Sequence, residues 1–516
     1  MPELIYNILQ IGYGPVSQAL ALMLGNQGRS VGVVERWSRR YPLPRAVCID
    51  HELYRVLAAN GMRDVLPTIS HSAPVYRWFN AEWRELLAID WAAEAISGGP
   101  EVNFVHQPTL EEALDRAVGG NQTVDLHLGR EAVRIEQHAD HVAVHVRAVD
   151  NGAEAVLSGR YLVGCDGANS IVRTAIGSAQ EDRGFNADWL VIDVRLKEGV
   201  TIEALGIPAA GQYCNPARPT TIVPAGVRDG RIYRRWEFMR LPGEPIEDME
   251  RIETVWAWLK PWAGPDDVEL IRHKVYNFRS LSATRWRNGR LLIAGDAAHV
   301  MPPFMGQGMC AGLRDAWNLA WKLGLILDGH ADDRLLDTYQ PERLPHVKRI
   351  IDASIYLGKI ICIPEPDKAA ERDRLFLSGT APPPPPFPHL MDGLIRRDAA
   401  DPVAGLLAPH ATIRKDGTTG RFDDLVGLGF VVVTRTADGL AQFDPALLGK
   451  IRTHLVSLDG IDVTGKLTAF MTAHGQEAIM IRPDFYIYGG ARRIADIPDL
   501  VGDFRRDLFA AGNSTG

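Results

Sequence analysis

The chain has 516 residues, which is too long for one hydrophobic core and predicts two to four domains. Hydrophobic residues make up 46% of it and charged residues 23%, a balance that is ordinary for a globular enzyme and excludes disorder on the scale of a domain. The net charge of -8, with both signs dispersed, excludes the basic stripe that binding to nucleic acid or an anionic membrane requires.

The cysteines and the apolar runs indicate the compartment. The five cysteines are scattered, odd in number and form no C-x-x-C pair, so neither a disulfide framework nor a zinc site is expected. No cluster with metal-ligand spacing is visible, and we expect no metal. No apolar run reaches the roughly 18 residues that span a bilayer, and the first strand begins at Leu4, so we expect a cytoplasmic protein without a signal peptide.

The chain opens with a β-α-β unit. Residues 4–11 form a mostly apolar strand that runs into a glycine turn, residues 16–26 form an Ala- and Leu-rich helix, and residues 31–35 form a second strand. This pattern predicts a parallel sheet covered by helices.

The glycine turn, residues 12–17 (GYGPVS), predicts a dinucleotide site because it follows a strand and opens a helix. Gly12 permits the tight turn, and Gly14 lets the backbone approach a pyrophosphate at the helix N-terminus. Ser17 replaces the usual third glycine and is small enough to keep the helix near the strand. Glu35 ends the second strand, where a carboxylate accepts the hydroxyls of an adenosine ribose, and Arg36 follows it. The motif leaves NAD and FAD open.

Further elements divide the chain. Short apolar strands at residues 161–165 and 291–294 are expected to join the first sheet. Between them, residues 180–276 alternate in the manner of β-strands and predict a second, inserted sheet domain. Residues 308–327 have the apolar spacing of an amphipathic helix.

A proline run near residue 384 marks another boundary. Residues 382–388 (PPPPPFP) cannot form a helix or a sheet interior and predict a stiff linker, with a binding segment for a proline-recognising partner as the alternative. Beyond it, strands at residues 429–433 and 478–481 indicate a small α/β domain.

Two later segments point to flavin. Residues 165–173 (CDGANSIVR) and 295–303 (GDAAHVMPP) resemble the two further fingerprints of the group A FAD-dependent aromatic hydroxylases, in the family's order and near its spacing. Residues 44–46 (PRA) and 339–343 (YQPER) also resemble family segments. The likeness to the 3-(3-hydroxyphenyl)propionate hydroxylases covers most of the chain, including residues 235–239 (RWEFM).

The resemblance implies a discontinuous fold. It assigns residues 1–75, 106–178 and 283–375 to a Rossmann-like FAD-binding domain, and residues 76–105 and 179–282 to an inserted β-sheet substrate domain. Residues 376–390 then form the linker and residues 391–516 a thioredoxin-like domain. This last domain contains no cysteine, so we expect it to be structural and to bury its apolar surface against the flavin domain or against a second subunit in a homodimer.

The resemblance also implies contacts to noncovalently bound FAD. Asp296 accepts a hydrogen bond from the ribityl chain, and Asp166 contacts flavin and, in the family, also the nicotinamide nucleotide. Arg45 lies against the phosphates and Gln107 against the ribityl chain. The remaining expected contacts are made by the fingerprint and by the start of the long helix, whose N–H groups face the pyrimidine edge of the flavin and stabilise its negative charge: Gly295, Pro303, Gly306, Gly308, Met309 and Cys310.

The implied reaction is hydroxylation of a phenolic compound with NADH or NADPH and O2, through a flavin C4a-hydroperoxide. Arg235 and Glu237 alternate on a strand and share the face that in the family looks toward flavin and substrate. Tyr213 and Pro303 are the other candidates for the pocket wall. Asp50 and His51 offer a proton relay, with an N-cap at Asp50 as the alternative. Cys310 has no base beside it in sequence and is not expected to be a nucleophile.

Two other functions remain open. Residues 256–261 (WAWLKP) approach the W-x-W-x-I-P signature of flavin-dependent halogenases, although Lys260 departs from it. A non-catalytic flavin-binding redox sensor is the second alternative, and substrate-gated loss of flavin colour distinguishes a hydroxylase from it.

Overall fold

The computed structural model describes residues 5–40, 43, 45–398, 400–443 and 451–509, so Leu4 and Pro44 lie outside the described residues. The strands in chain order are β1 Ile5–Ile11, β2 Val31–Glu35, β3 Cys48–Asp50, β4 Ser70–His71, β5 Val75–Phe79, β6 Glu85–Asp90, β7 Val102–Val105, β8 Val124–Leu128, β9 Arg130–Gln137, β10 Val142–Ala148, β11 Glu154–Gly164, β12 Gln180–Leu196, β13 Ala210–Tyr213, β14 Thr220–Arg228, β15 Arg231–Met239, β16 Val268–Ala283, β17 Arg287–Asn288, β18 Leu291–Ile293, β19 His299–Val300, β20 Thr412–Lys415, β21 Thr418–Arg421, β22 Phe430–Thr434, β23 Thr453–Ser457, β24 Ala478–Ile481 and β25 Ile487–Ala491.

The α-helices in chain order are α1 Pro15–Gly25, α2 His51–Leu57, α3 Leu66–Ile69, α4 Gln107–Gly119, α5 Ile171–Ile176, α6 Ile246–Met249, α7 Ile252–Leu259, α8 Gly308–Leu327, α9 Tyr339–Ile361, α10 Pro366–Leu377, α11 Phe422–Val426, α12 Ala437–Leu440, α13 Lys466–Ala473 and α14 Ile497–Phe509. None of these helices combines the length and the apolar character that crossing a membrane takes.

The first sheet has the strand order β17-β18-β11-β1-β2-β8, with β10 antiparallel to β11 and β9 antiparallel to β10. The pairs of β1 with β11, β1 with β2, β2 with β8 and β11 with β18 are parallel. Strands β1, β2 and β18 are almost wholly buried, as parallel strands covered by helices are. Every carboxyl end that carries a sequence motif therefore lies at one edge of one sheet.

The second sheet has the order β19-β16-β12-β15-β14-β13-β5-β6 and is antiparallel except where β13 meets β5. Helices α6 and α7 contribute Met249, Val255 and Leu259 to an apolar layer against Trp236 and Phe238 of β15. The chain leaves the first sheet at the end of β18. After a short turn it enters the second sheet as β19, which pairs with β16. Strand β7 pairs with β3 and β4 in a separate three-stranded sheet.

The C-terminal unit contains a sheet with the order β23-β22-β24-β25, in which β22 and β23 are parallel and the other pairs are antiparallel. Its apolar face packs on α8, where Trp321 lies edge-on to Phe430 at a centroid distance of 5.7 Å. Trp317 contacts Phe485 at 6.1 Å. This face of the C-terminal unit is therefore buried against α8 of the same chain.

The proline run forms neither helix nor strand, and residues 382–387 are exposed. The ring of Phe387 nevertheless lies 5.1 Å from the Arg314 guanidinium of α8 and 5.8 Å from the ring of His346 in α9. Pro388 is buried. The end of the linker therefore contacts the two long helices.

Candidate active site

The glycine turn between β1 and α1 brings the backbone close to a neighbouring turn and leaves space on its other side. Gly12 has φ +94°, and a Cβ there would lie 2.4 Å from the carbonyl oxygen of Cys165. A Cβ on Gly14 would meet no protein atom within 4 Å. No side chain caps α1 and its first turn has no acidic residue, so its N–H groups remain available to an anion.

Glu35 holds its carboxylate beside this turn. Its Oε2 accepts a hydrogen bond from the Tyr13 N–H at 2.8 Å, and its Oε1 accepts from the Trp37 N–H at 2.9 Å. Arg36 is exposed, with its guanidinium 5.2 Å from the Trp37 ring. Ser17 is buried and bonds to the Gln10 side chain at 2.5 Å, so it faces the sheet and keeps α1 close to β1.

Asp166 follows β11 and lies next to Gly12. Its Oδ2 accepts from the N–H groups of Ile171 and Val172, at 2.8 and 3.3 Å, at the start of α5. Its Oδ1 is buried without a partner among the described residues, and burial raises the pKa of this carboxyl. Part of its hydrogen-bonding capacity is thus left over.

The turn after β18 presents a single acidic side chain. Asp296 is exposed, although its neighbours Gly295 and Ala297 are buried. The Gly295 N–H donates to Asp315 at 3.1 Å, and Asp315 also pairs with His299 at 2.6 Å, which fixes the turn. Burial alone would raise the pKa of Asp315, but His299 and Arg343 hold it below its ordinary value.

Helix α8 begins with N–H groups that no side chain caps. Gln307 precedes it and turns its amide oxygen to the Arg314 guanidinium, 3.0 Å away, instead of to the helix. The first turn, which includes Gly308, Met309 and Cys310, contains no acidic residue. Gly306 has φ +64°, and a Cβ there would lie 2.6 Å from the Cys48 sulfur. A partial positive charge therefore faces the space at this end.

The three motif regions border one space. A Cβ on Gly312 of α8 would lie 2.6 Å from the side chain of Val16 in α1 and 3.0 Å from the Gly295 Cα. We call the space bordered by Gly14, Glu35, Asp296 and the first turn of α8 the dinucleotide groove.

Residues 45 and 46 run along this region and are held by their backbone. The Gln107 amide oxygen accepts from the N–H groups of Arg45 and Ala46, at 2.8 and 2.5 Å. The Arg235 guanidinium donates to the Arg45 carbonyl at 2.6 Å. The Arg45 side chain is exposed. Gln107, which we expected at the ribityl chain, therefore already uses its oxygen within the protein.

Arg235 and Glu237 lie on β15, and the structure brings them together beside this segment. Arg235 forms a two-pronged ion pair with Asp193, at 2.7 and 3.1 Å, and its guanidinium lies 3.7 Å from Glu237. Arg272 also pairs with Asp193, at 2.7 Å. Burial raises the pKa of Glu237, an effect that Arg235 partly offsets.

A cavity of about 1030 Å³ opens beside the start of α8. We call it the aromatic cavity; its lining includes Asp50, His51, Glu52, Tyr76, Trp78, Leu87, Asp90, Trp91, Glu101, Phe304, Met305, Gln307, Phe376, residues 382–384, Phe387, His389, Leu406, Leu407, Phe470, His474 and Tyr486. Arg235, Glu237, Tyr213 and Pro303 are not among the residues that line it. Tyr213 instead stacks on Trp83 at 4.3 Å and donates its hydroxyl to the Ala81 carbonyl at 3.0 Å.

Asp50 has the N-cap geometry. Its Oδ1 accepts from the Leu53 N–H at 3.0 Å, and its Oδ2 pairs with Arg314 at 2.5 Å. Burial alone would raise the pKa of Asp50, but Arg314 holds it below its ordinary value. His51 lies 3.5 Å from Glu101. Asp50 is thus engaged with the helix and with an arginine.

The sequence missed most of the cavity wall. Phe304, Met305 and Gln307 interleave with the glycines that we had singled out, so proximity in sequence could have indicated them. Phe470 and His474 lie far along the chain and carried no signal. Residues 256–259 of the halogenase-like segment lie in helix α7. They pack on the second sheet, as an ordinary amphipathic helix does.

These observations fit a flavin dinucleotide. Two uncapped helix N-termini, a carboxylate at the end of β2, and an exposed aspartate at a buried turn match the pyrophosphate, ribose and ribityl groups of FAD. Among the described residues no group of three His, Cys, Asp or Glu side chains is placed to hold a metal ion.

Residues 6–354 match the model of the FAD binding domain family, and residues 405–507 match that of the HcaD C-terminal domain. The chain is 36% identical to a probable NADH-specific resorcinol 4-hydroxylase of Rhodococcus jostii, across 97% of this chain and 94% of that protein. The chain belongs to the FAD-dependent aromatic hydroxylases.

Other relatives agree with this membership. A 3-(3-hydroxy-phenyl)propionate/3-hydroxycinnamic acid hydroxylase of Mycolicibacterium smegmatis is 32% identical over 98% of this chain and 92% of its own. The fold matches aklavinone-11 hydroxylase, solved with FAD and aklavinone, with a TM-score of 0.80 and 22% identity over 98% of this chain and all of that one. The flavin-dependent monooxygenase PieE gives a TM-score of 0.82 at 21% identity, with the same coverage. The hydroxylase prediction is confirmed, and the halogenase alternative is not favoured.

Proposed function

We propose that this hydroxylase acts on a phenol bound at the Phe304 end of the aromatic cavity, with NADH as the reductant. The observation that carries the proposal is that the cavity opens at Phe304, Met305 and Gln307, directly before the uncapped start of α8. The preference for NADH over NADPH rests on the Rhodococcus jostii relative. Bound FAD supplies electron transfer from the nicotinamide nucleotide and activation of dioxygen.

Residues of the dinucleotide groove would hold the cofactor without a covalent bond. The α1 N-terminus at Gly14 would take the pyrophosphate, Glu35 the adenosine ribose and Asp296 the ribityl chain. The N–H groups of Gly308, Met309 and Cys310 would stabilise negative charge at the pyrimidine edge. Gly306 and Gly295 shape the turns between these contacts.

Other residues position the ring and keep water out. Arg235 is held by Asp193 and donates to the Arg45 carbonyl. It thereby links the second sheet to the segment at residues 45 and 46. Glu237 lies beside Arg235, and burial raises the pKa of its carboxyl. The aromatic lining excludes water that would divert the reaction to hydrogen peroxide. The roles expected for Asp166, Gln107, Arg36, Pro303 and Tyr213 stay predictions.

The domain assignments also become proposals. The order β23-β22-β24-β25, with one parallel and two antiparallel pairs, supports a thioredoxin-like C-terminal domain, and the second sheet supports an inserted substrate domain. All five cysteines are unpaired, which supports a reducing, cytoplasmic setting. A homodimer would have to use a surface other than the face that packs on α8.

The test is turnover by the yellow holoenzyme. We expect NADH oxidation to accelerate at least tenfold when a phenol is added, and the hydroxylated product to be found by mass spectrometry. NADPH serves as the matched reductant and hydrogen peroxide release as the measure of uncoupling. Flavin that is reduced equally fast without a phenol, with no hydroxylated product, would indicate a redox sensor and contradict the proposal.

A further inference from the structure

The charged side chains that line the aromatic cavity are unevenly distributed between the two signs. Its described lining contains neither arginine nor lysine. The charged side chains that do line it are four carboxylic acids, Asp50, Glu52, Asp90 and Glu101. A substrate carboxylate in this space would therefore find no arginine or lysine of the lining to pair with.

The cation nearest to these acids is already neutralised. Arg314 pairs with Asp50 at 2.5 Å and with Glu52 at 2.7 Å, and its side chain is only 2% exposed. Phe387 of the linker covers its guanidinium at 5.1 Å. Arg314 therefore already pairs with two carboxylates, and its guanidinium is shielded from the cavity.

Three histidines line the cavity, and two of them have partners. His51 lies 3.5 Å from Glu101, and the ring of His474 packs on Phe470 at 4.6 Å. Burial lowers the pKa of His389, which favours its neutral form. The lining is thus built to receive an uncharged molecule.

Part of the lining of this cavity of about 1030 Å³ is aromatic. There Tyr76 stacks on Trp91 at 4.2 Å, and Trp78 contacts Phe376 at 5.7 Å.

The C-terminal unit contributes an apolar wall to the cavity, through Leu406, Leu407 and Phe470. Buried ion pairs fix this wall in place, among them Arg482 with Glu342 at 2.7 Å and Arg55 with Asp423 at 2.7 Å. The proline run adds a side wall through residues 382–384. Both segments thus contribute surface to the space in which the substrate would lie.

We propose that the substrate is an uncharged phenol that carries an apolar chain, and that this chain lies against the proline linker and the C-terminal unit. The phenolic ring occupies the Phe304 end, so the inference rests on the proposed function. Phe470, Leu407 and the proline run then determine chain-length specificity. The C-terminal unit is accordingly part of the substrate site as well as a structural support.

The experiment compares three phenols with the holoenzyme and NADH: resorcinol, 5-pentylresorcinol and 3-(3-hydroxyphenyl)propionate. We expect kcat/KM for 5-pentylresorcinol to exceed that for resorcinol at least tenfold, because each buried methylene adds favourable transfer free energy. For the propionate we expect a value at least tenfold below that of 5-pentylresorcinol. Equal values for the two resorcinols, or a preference for the propionate, would overturn the inference while leaving the proposed function intact.

A variant locates the chain-binding wall. Phe470→Ala should lower kcat/KM for 5-pentylresorcinol about three- to tenfold more than it lowers that for resorcinol. Val463→Ala, at a position on the same unit that is 50% exposed and does not line the cavity, is the matched control. An equal loss for both resorcinols, or no loss for either, would contradict the assignment of the tail. If none of the three phenols is hydroxylated, the proposed function fails first and the inference falls with it.

Discussion

The dinucleotide groove and the aromatic cavity are built in different ways. The groove is formed by backbone, through the turns at Gly12 and Gly295 and the uncapped starts of α1 and α8. The cavity is formed by side chains from the second sheet, the small sheet of β3, β4 and β7, the helices α2, α9 and α10, the linker and the C-terminal unit. A backbone-built site requires particular glycines and tolerates few changes, whereas a side-chain wall can change its shape without changing the fold.

The comparison implies that the cavity depends on how firmly its distant wall is anchored. Glu342 of α9 is fully buried and binds Lys322 at 2.8 Å and Arg482 at 2.7 Å. Glu342→Gln leaves Lys322 buried without its carboxylate, and we expect a loss of about 3–5 kcal/mol in the free energy of unfolding. Denaturant unfolding at pH 7 measures it. Glu365→Gln, at an exposed residue that forms an ion pair with Lys368, is the control and should leave the midpoint unchanged.

The same residue predicts a dependence on pH. Burial alone would raise the pKa of Glu342, but Arg482 and Lys322 lower it to about 2 from an ordinary 4.5. A carboxyl whose pKa is lowered by folding contributes stability that is complete above its unfolded value and is lost as pH falls through its folded value. The difference between wild type and Glu342→Gln should therefore narrow as pH falls from 4.5 toward 2. A difference that stays constant would show that the charge is not its source.

Gly12 and Gly14 test the backbone-built end as a matched pair. Gly12→Ala forces a side chain onto φ +94° and toward the Cys165 carbonyl. The φ value alone costs about 1–3 kcal/mol. Gly14→Ala adds a methyl group to open space, so the apoprotein should keep its unfolding midpoint while FAD affinity falls. Thermal unfolding of both apoproteins and FAD titration separate the two effects. Equal stability of the two variants would argue against the close approach at Gly12.

Asp296 is the side chain on which the groove depends. Loss of one charge-assisted hydrogen bond to a buried ligand costs about 1.5–3 kcal/mol, so Asp296→Ala should weaken FAD binding about ten- to a hundredfold. Its exposed position means that folding should be unaffected. Asp150→Ala, in an exposed turn between β10 and β11, is the control. An unchanged dissociation constant for FAD in a folded Asp296→Ala protein would refute the assignment.

The backbone-built groove could be predicted from the sequence, whereas the side-chain wall of the cavity could not. The turns at Gly12 and Gly295 could be recognised from the sequence because a positive φ or a close backbone approach favours glycine, and a glycine is visible in the sequence. Wall residues such as Phe470 and Tyr76 are ordinary apolar residues, and only the folded chain brings them together. Arg235 was found from its strand, but its bond to the Arg45 carbonyl depends on how the two sheets meet. Side-chain contacts across domains leave no local pattern.

Substitution of Cys310 should have the smallest effect on activity. It tests whether the backbone N–H or the side chain of this residue acts on the flavin. The proposed role of this residue uses its N–H in the first turn of α8, while its thiol is buried and donates to the Cys48 carbonyl, at 3.9 Å. Burial raises the pKa of the thiol well above its ordinary value, which disfavours the thiolate that nucleophilic chemistry needs. Cys310→Ala removes one buried sulfur and should cost about 1 kcal/mol of stability.

The N–H group survives this substitution, so kcat, KM, the yield of product per NADH and the flavin reduction potential should all stay within about twofold or within error. Cys48→Ala, at the neighbouring buried thiol near Gly306, is the comparison. A reduction potential that shifts in Cys310→Ala but not in Cys48→Ala would show that the sulfur itself acts on the flavin. The groove would then not be built by backbone alone, because the Cys310 side chain would tune the cofactor from inside the first turn of α8.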